Sequence, residues 1–462
     1  MQARGLILAA PASGSGKTLV TAGLLRHLRR RGVSVAAAKA GPDFIDPTFH
    51  ALASGVPCTN LDPWAMRPET LAGLVAGFEA VAEIVLCEGV MGLFDGTGAD
   101  GESGSTAELA QLTGWPVVLV VEARGQGASV AALLRGFTRH RPEALIAGVI
   151  FNRVASERHR ALLAGAVRRY LPGLAILGAL PADPASALPS RHLGLVPAGE
   201  IGEAERVIER AAKQIGAFLD VDWLLALARP STLSREAVTP GIPPLGRRIA
   251  VARDAAFCFI YPALVDAWRH HGVDLTFFSP LADESPDPAS DAVYLPGGYP
   301  ELWAGRIAAA DVFLAGLRRA AAGRKPIYGE CGGYMVLGEA LIDADGHSHP
   351  MAGLLPVVSS FSERRLSLGY RCATLLADGP LGRTGSRFRG HEFHYATIAQ
   401  QESGDRLWSI TDAAGTDLGM SGLRRGSVFG SFLHLIDRSG QRETGHLDRE
   451  SRDVRSDTQE SQ

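Results

Sequence analysis

Two stretches of this sequence carry chemistry in the order of their residues. In the first, Pro11-Ala12-Ser13-Gly14-Ser15-Gly16-Lys17-Thr18 follows the apolar run Leu6 to Ala10 and opens the helical pattern Leu19 to Arg31. Strand, glycine turn, Lys-Thr and helix is the order that a phosphate cradle needs. Glycines let backbone amides turn toward anionic oxygens, the helix N-terminus adds its dipole, Lys17 neutralises β and γ phosphates, and the Thr18 hydroxyl ligates Mg²⁺. Gly14, Ser15, Gly16, Lys17 and Thr18 are therefore the expected ATP-binding residues. The strict pattern wants a glycine at position 11, where this chain has Pro11, but the residues nearest the phosphates are all present. The bland alternative is a glycine-rich turn ahead of a helix.

Acidic residues at later strand ends must say what the phosphate loop is for. Lys39-Ala40-Gly41-Pro42-Asp43-Phe44-Ile45-Asp46-Pro47 closes a second apolar run, and Cys87-Glu88-Gly89-Val90-Met91-Gly92-Leu93-Phe94-Asp95-Gly96 closes a third. Mg²⁺ bridging ATP phosphates takes one or two carboxylates and keeps several waters, so Thr18, Asp43 and Glu88 form a candidate metal set. Asp46 and Asp95 remain for substrate or for transition-state geometry. The competing reading is that Asp43 and Asp46 only cap the turns around Pro42 and Pro47.

The second stretch is Pro326-Ile327-Tyr328-Gly329-Glu330-Cys331-Gly332-Gly333-Tyr334-Met335. A short strand running through Cys331 into a helix reads as a nucleophile elbow, in which a tight turn lifts the thiol clear of the sheet and the helix N-terminus favours thiolate. Attack on a carbonyl needs an oxyanion hole. The glycine turn Leu295-Pro296-Gly297-Gly298-Tyr299-Pro300 supplies a candidate, with the Gly298 amide converging on that of Gly332. It also needs a base, and His434, at the end of the apolar run from Ser427, is the candidate. His391 or His394, in Arg389-Gly390-His391-Glu392-Phe393-His394-Tyr395, is the rival.

These residues need elements to hold them. From residue 5 to about 155, apolar runs (Leu6 to Ala10, Val33 to Ala38, Ile84 to Cys87, Val117 to Val121, Ile146 to Phe151) alternate with helical patterns. Runs that are apolar throughout predict a mainly parallel sheet with helices on both faces, with ligands gathering at the strand C-termini. Between about 229 and 248 four prolines and little periodic apolarity suggest a linker. After it the α/β grammar restarts with Ile249 to Ala252, a helix from about Tyr261, Leu275 to Phe278, Ala292 to Leu295, a helix from Glu301, and Pro326 to Gly329.

The fold class expected is α/β in two domains. The expected boundaries are residues 1–230 for the ATP-using domain, 231–247 for the linker, 248–437 for the thiol domain and 438–462 for a disordered tail. A formal charge of −3 over 462 residues removes any reason to invoke nucleic acid or an acidic membrane surface as partner. Five cysteines scattered without metal-ligand spacing suit a reducing compartment. The apolar run near the N-terminus is too short to span a bilayer and leads into the glycine loop instead of a cleavage site, so the expected location is the cytoplasm. A homodimer stays open.

Ala-Ser-Gly-Ser-Gly-Lys-Thr at 12–18, Lys-Ala-Gly-Pro-Asp-Phe-Ile-Asp-Pro at 39–47 and Glu-Gly-Val-Met-Gly-Leu-Phe-Asp-Gly at 88–96 resemble the ATP-dependent amidoligase domain of the cobyrinic and hydrogenobyrinic acid a,c-diamide synthases, which is itself similar to dethiobiotin synthetase. Leu-Pro-Gly-Gly-Tyr-Pro-Glu at 295–301 and Glu-Cys-Gly-Gly at 330–333 resemble the class I, triad-type glutamine amidotransferase fused to it. The resemblance implies a P-loop NTPase-like first domain and a class I amidotransferase-like second. It implies ATP, L-glutamine and a corrinoid as partners, Mg²⁺ as cofactor, and two amidations at the a and c acetates, hydrogenobyrinate being the preferred substrate and cobyrinate the next. It also implies that Thr18, Asp43 and Glu88 match the metal positions, that Asp46 and Asp95 are substrate-site acids, and that Phe44 and Ile45 lie against the macrocycle. One departure stands out: many triad glutaminases carry a glutamate two residues after the histidine, where this chain has Ile436. The nearest alternatives are cobyric acid synthase and a diamide synthase acting on nickel-sirohydrochlorin. Further off stand a P-loop ATPase switch with an inactive glutaminase-like appendage and a ligase using carbon dioxide.

Overall fold

The computed structural model describes residues 3–98, 101–183, 190–191, 194–195, 202–234 and 241–439. Residues 440–462, where a tail is expected, lie outside these, as do 235–240 of the expected linker.

Seven of the eight strands described in the first sheet form its parallel path: β1 (Arg4–Ala9), β2 (Val35–Ala40), β3 (Cys58–Leu61), β4 (Ile84–Glu88), β5 (Val117–Glu122), β6 (Ile146–Val154) and β7 (Ala175–Pro181). They lie parallel in the order β3-β2-β4-β1-β5-β6-β7. Both faces are apolar, as the unbroken runs require. Ile7, Leu119 and Val121 point into one core, while Leu6, Leu8, Val118 and Val120 point into the other. Two strands, β3 and β7, carry no unbroken apolar run. Cys-Thr-Asn-Leu of β3 is short and half polar, and β7 is broken by Gly178 and ends on Pro181; both lie at sheet edges, where polar and glycine residues are tolerated. Glu88 consequently closes the fourth strand in chain order, not the third. Because β4 lies between β1 and β2, the loops that follow all three leave the same edge of the sheet side by side.

The second sheet runs Asp274–Phe278, Arg248–Ala252, Ala292–Leu295, Ile327–Glu330, Val428–Ser431 and Leu423–Arg425, parallel except for the last strand. The helix expected from Glu301 begins as one 3₁₀ turn at Pro300–Leu302, with α-helices at Ala304–Ala308 and Asp311–Ala322. Beyond Leu337 the chain adds antiparallel structure that the sequence reading did not anticipate. The largest part is a five-stranded sheet in the order Asp417–Ser421, Trp408–Asp412, Ser367–Leu375, Arg387–His394, His434–Arg438. Its register sets His391 opposite His434.

The two lobes meet over a polar and aromatic seam. The Tyr370 hydroxyl donates to Asp62 Oδ2 at 2.9 Å and that of Tyr261 to the Pro42 carbonyl at 2.9 Å, while the Arg67 amide donates to the buried Asp437 at 2.9 Å. Arg389 lies over the Trp64 ring at 4.8 Å. In the segment read as a linker, Arg229–Pro230 pairs with β1, and Ile242 and Leu245 are buried in the core of the second lobe. The described ends of that segment are thus packed against the lobe that each adjoins.

Candidate nucleotide and thiol sites

The turn after β1 folds as a phosphate loop for reasons visible residue by residue. Gly14 and Gly16 take left-handed φ values of 80° and 86°, and a Cβ on Gly16 would stand 2.4 Å from Asn152 Nδ2. That same Nδ2 donates to the Ser15 carbonyl at 2.8 Å, and the Ser15 hydroxyl donates to the Ala12 carbonyl at 2.7 Å, so the loop is held from outside and from within. Gly16 then caps the helix Lys17–Arg30.

Lys17 Nζ donates to the Met91 carbonyl at 2.6 Å, and the Thr18 hydroxyl donates to Glu88 Oε1 at 2.8 Å. The other Glu88 oxygen faces His50 and, at 3.3 Å, Lys39. Lys39 is 3% exposed and also meets Asp46 at 2.7 Å and Asp43 at 4.0 Å, so one buried ammonium gathers three carboxylates. Burial alone would depress Lys39, but Asp46, Glu88 and Asp43 together hold it well above the usual lysine range. In the Asp43/Asp46 pair, burial and the Asp46 charge push Asp43 up, whereas Lys39 overcomes burial and holds Asp46 down. The Asp43 side chain keeps 26% of its exposure, so solvent tempers its shift. Burial lowers Lys17.

These groups line a cavity of about 850 Å³, within the range of small-molecule sites. Its far end is walled by Asn152, Arg153, Pro181, Asp183 and Gln214, which sequence reasoning did not single out. The signal available for Asn152 and Arg153 was a polar pair at the end of an apolar strand. Lys39 was legible too, standing at the head of the Gly-Pro-Asp segment. The oxygen donors at Thr18 and Glu88 suit a hard divalent cation, and Asp43 reaches them through Lys39 rather than by direct contact. Asp95 does not line the cavity: it is exposed, and its carboxylate accepts the Gly92 amide at 2.8 Å. Ile45 lines the cavity, but Phe44 turns away from it, into the second lobe.

There, strand Ile327–Glu330 ends at Cys331, which holds φ 48° and ψ −107° before the helix Gly332–Leu337. A non-glycine residue at positive φ between strand and helix is the strain expected of a nucleophile elbow. The Cys331 amide is spent on the Ser431 carbonyl at 2.8 Å. Neighbouring glycines leave no room for side chains: a Cβ on Gly333 would stand 2.0 Å from the Leu295 carbonyl oxygen, and one on Gly332 3.2 Å from the Gly298 amide nitrogen. The Gly332 and Gly298 backbones therefore approach each other closely. Gly297 proves as important as Gly298. A Cβ there would stand 2.4 Å from His434 Cε1 and 3.2 Å from Cys331 Cβ, so this glycine separates thiol from imidazole by its own width.

His434 is fully buried, its ring centroid 5.0 Å from both His391 and Phe44. His391 turns its Nδ1 toward the Tyr261 hydroxyl at 3.4 Å, and the His394 ring stacks on Phe432 at 4.1 Å. Of the three histidines, His434 is the one whose ring borders Gly297 beside Cys331. Burial depresses all three, His391 to about 3 and His394 to about 4, with His434 held well below its ordinary value. Burial, reinforced by the Glu301 carboxylate, pushes the Cys331 thiol well up. Desolvation thus works against the thiolate that the helix N-terminus favours, and against protonation of the imidazole beside it.

Comparison with known proteins follows the same division. Residues 6–196 match the CobQ/CobB/MinD/ParA nucleotide binding domain, and residues 248–441 match the CobB/CobQ-like glutamine amidotransferase domain. A hydrogenobyrinate a,c-diamide synthase of Brucella anthropi is 53% identical over 441 residues, covering 95% of this chain and 100% of that protein. Proteins of the same description from Rhizobium meliloti and Mesorhizobium japonicum are 52% and 49% identical, with 94% and 95% of this chain covered and 99% and 100% of theirs.

Proposed function

The chain belongs to the hydrogenobyrinate a,c-diamide synthase family and is a ligase that forms C–N bonds from glutamine nitrogen, and we propose that its own substrate is hydrogenobyrinate, amidated at the a and c acetates. Cobyrinate is the next substrate to try.

In the thiol site, Cys331 passes its proton to His434 as Sγ attacks the glutamine side-chain carbonyl. The Gly298 and Gly332 amides receive the oxyanion. The tetrahedral adduct collapses to a γ-glutamyl thioester and ammonia, with His434 returning the proton to the leaving nitrogen, and water then frees glutamate and restores the thiol.

A carboxylate is a poor electrophile, so the acetate first takes the γ-phosphoryl group of ATP, giving an acyl phosphate and ADP. Gly14, Ser15, Gly16 and Lys17 cradle the phosphates. Thr18 and Glu88, with Asp43 behind them through Lys39, would hold Mg²⁺, which would supply positive charge against the phosphates. Asp46 and Ile45 face the acetate from the cavity wall. Ammonia displaces phosphate and leaves the amide, and the cycle repeats at the second acetate.

The observation that carries this reading is the 42–46 segment. Asp46 is bonded to Lys39 at the nucleotide cavity, while Phe44, two residues earlier, stacks on Tyr261 at 4.3 Å and lies tilted against the His434 ring at 5.0 Å. One short loop therefore borders both centres, which suits ammonia that must not be protonated in bulk water on its way. We take residues 1–230 and 248–437 as the two domains. No helix among the described residues is long and apolar enough to cross a membrane.

Cys331→Ser tests the division of labour. It should abolish glutamine-driven amidation and leave ammonia-driven amidation intact; loss of both would refute it.

A further inference from the structure

The residue before the nucleophile is an acid with no evident reason to be one. Glu330 is the last residue of a central strand, is 3% exposed, and accepts hydrogen bonds from the Tyr294 hydroxyl at 2.8 Å, the Tyr328 hydroxyl at 2.9 Å and the Leu435 amide at 3.1 Å. All three donors are neutral. Removing a carboxylate from water without a cation is costly, and a strand could be joined through those donors by an uncharged residue. Among the described residues, the basic group found within ion-pair distance is His434, whose Nδ1 lies 4.0 Å from Glu330 Oε2.

His434 presents the complementary problem. Neither of its ring nitrogens has a hydrogen-bond partner among the described residues, although the ring is fully buried. A buried imidazole that must accept a proton needs a fixed tautomer and a counter-charge for the imidazolium that follows. Ile436, at the position where many triad glutaminases carry their orienting glutamate, packs instead against the apolar core of the first lobe. The Leu435 amide, next in the chain after His434, is tied to the same Glu330 carboxylate, so acid and imidazole are locked to one another through the backbone.

We infer that Glu330 is the positioning residue for His434, holding Nδ1–H toward itself so that Nε2 is left to accept the Cys331 proton, and balancing the imidazolium once that proton has moved. This rests on the reading of Cys331 and His434 as nucleophile and base. At 4.0 Å the carboxylate is within ion-pair reach of the ring as it stands. The other titratable groups that face the pair are His391 and His394 beside His434, Tyr294 and Tyr328 on the carboxylate, and Cys331 itself. Burial pushes the Glu330 carboxyl up to about 7, against the lowering effect of Tyr294, Leu435 and Tyr328, so its ionisation falls in the neutral range.

The experiment is glutaminase kinetics of the full-length chain across the neutral pH range, with ammonia-driven amidation as the control for folding. Glu330→Gln should lower kcat by about tenfold or more with KM for glutamine little changed, leave ammonia-driven amidation intact, and erase the fall in kcat on the acid side of neutrality. Tyr294→Phe, which removes one donor to the carboxylate, should keep that fall and move it to higher pH. The inference is overturned if Glu330→Gln keeps kcat within twofold, if its loss lies only in KM and thermal stability, or if the acid limb survives in Glu330→Gln or fails to move in Tyr294→Phe. Failure of the underlying reading is distinguishable, because Cys331→Ser would then still hydrolyse glutamine.

Discussion

Gly297 is the position at which the geometry of the thiol site makes its sharpest demand. Its added Cβ would stand 2.4 Å from His434 Cε1, whereas ordinary contacts begin at 3.4 Å, so in Gly297→Ala the ring must retreat by about 1 Å. It has little room to do so, with Phe44 and His391 at 5.0 Å and Phe259 at 6.2 Å around it. The glycine cannot yield either, since the Phe259 amide donates to its carbonyl at 3.0 Å and Cys331 Cβ lies on its other side. A displacement of that size between nucleophile and base costs about 100-fold in rate, or roughly 2.7 kcal/mol in the barrier. The overpacking itself costs about 1–3 kcal/mol of stability. Steady-state glutamate release is the assay, with ammonia-driven amidation reporting that the nucleotide site is untouched. A Gly297→Ala enzyme with kcat within threefold of the parent would refute the proposal that His434 works across this glycine.

Three further outcomes follow from the contacts around the two centres. Phe44→Ala removes the aromatic plug between the 42–46 loop and His434, each ring pair being worth about 0.5–1.5 kcal/mol; the ratio of glutamate released to amide formed should rise above one, and an unchanged ratio would count against coupling through this loop. Lys39→Met leaves Asp43, Asp46 and Glu88 without their ammonium. That should cost about 3–5 kcal/mol in thermal unfolding, with part regained on adding Mg²⁺; an unchanged Tm would contradict it. Asp62 is raised by burial from 3.8 to about 6, so the folded state holds a proton that the unfolded state has lost between those values. Its contribution to stability is thus present at low pH and lost as pH rises through about 6, so the Tm of Asp62→Asn relative to the parent should be higher at mildly basic pH than near pH 4, and a pH-independent difference would show the shift to be absent.

The two centres were legible because each is written in consecutive residues whose backbone the chemistry constrains. Gly14, Gly16, Lys17 and Thr18 had to share one turn, and Cys331 needed small neighbours, so type and spacing announced both. Likewise, β1, β4 and β5 were readable as unbroken apolar runs, since both faces of the sheet are covered. The antiparallel wing was not. In Ser367–Leu375 the residues are mostly half buried, and such a strand leaves no apolar run to find. The same blindness hid what surrounds His434. Glu330 was in plain view beside Cys331, but its nearness to the imidazole depends on the pairing of Ile327–Glu330 with Val428–Ser431 and on the turn that follows, which no local pattern encodes. Phe44 shows the same limit: its neighbours on the chain belong to the nucleotide cavity, while its ring belongs to the other lobe.

The most direct measurement follows atoms through both centres at once. The enzyme is given ATP, glutamine bearing heavy nitrogen in its amide, and hydrogenobyrinate bearing heavy oxygen in its acetates, with unlabelled ammonium in the buffer, and the masses of product and phosphate are read. The account requires heavy nitrogen in both new amides and one heavy oxygen in each phosphate released. Amides drawn from the buffer ammonium, or phosphate without heavy oxygen, would contradict it.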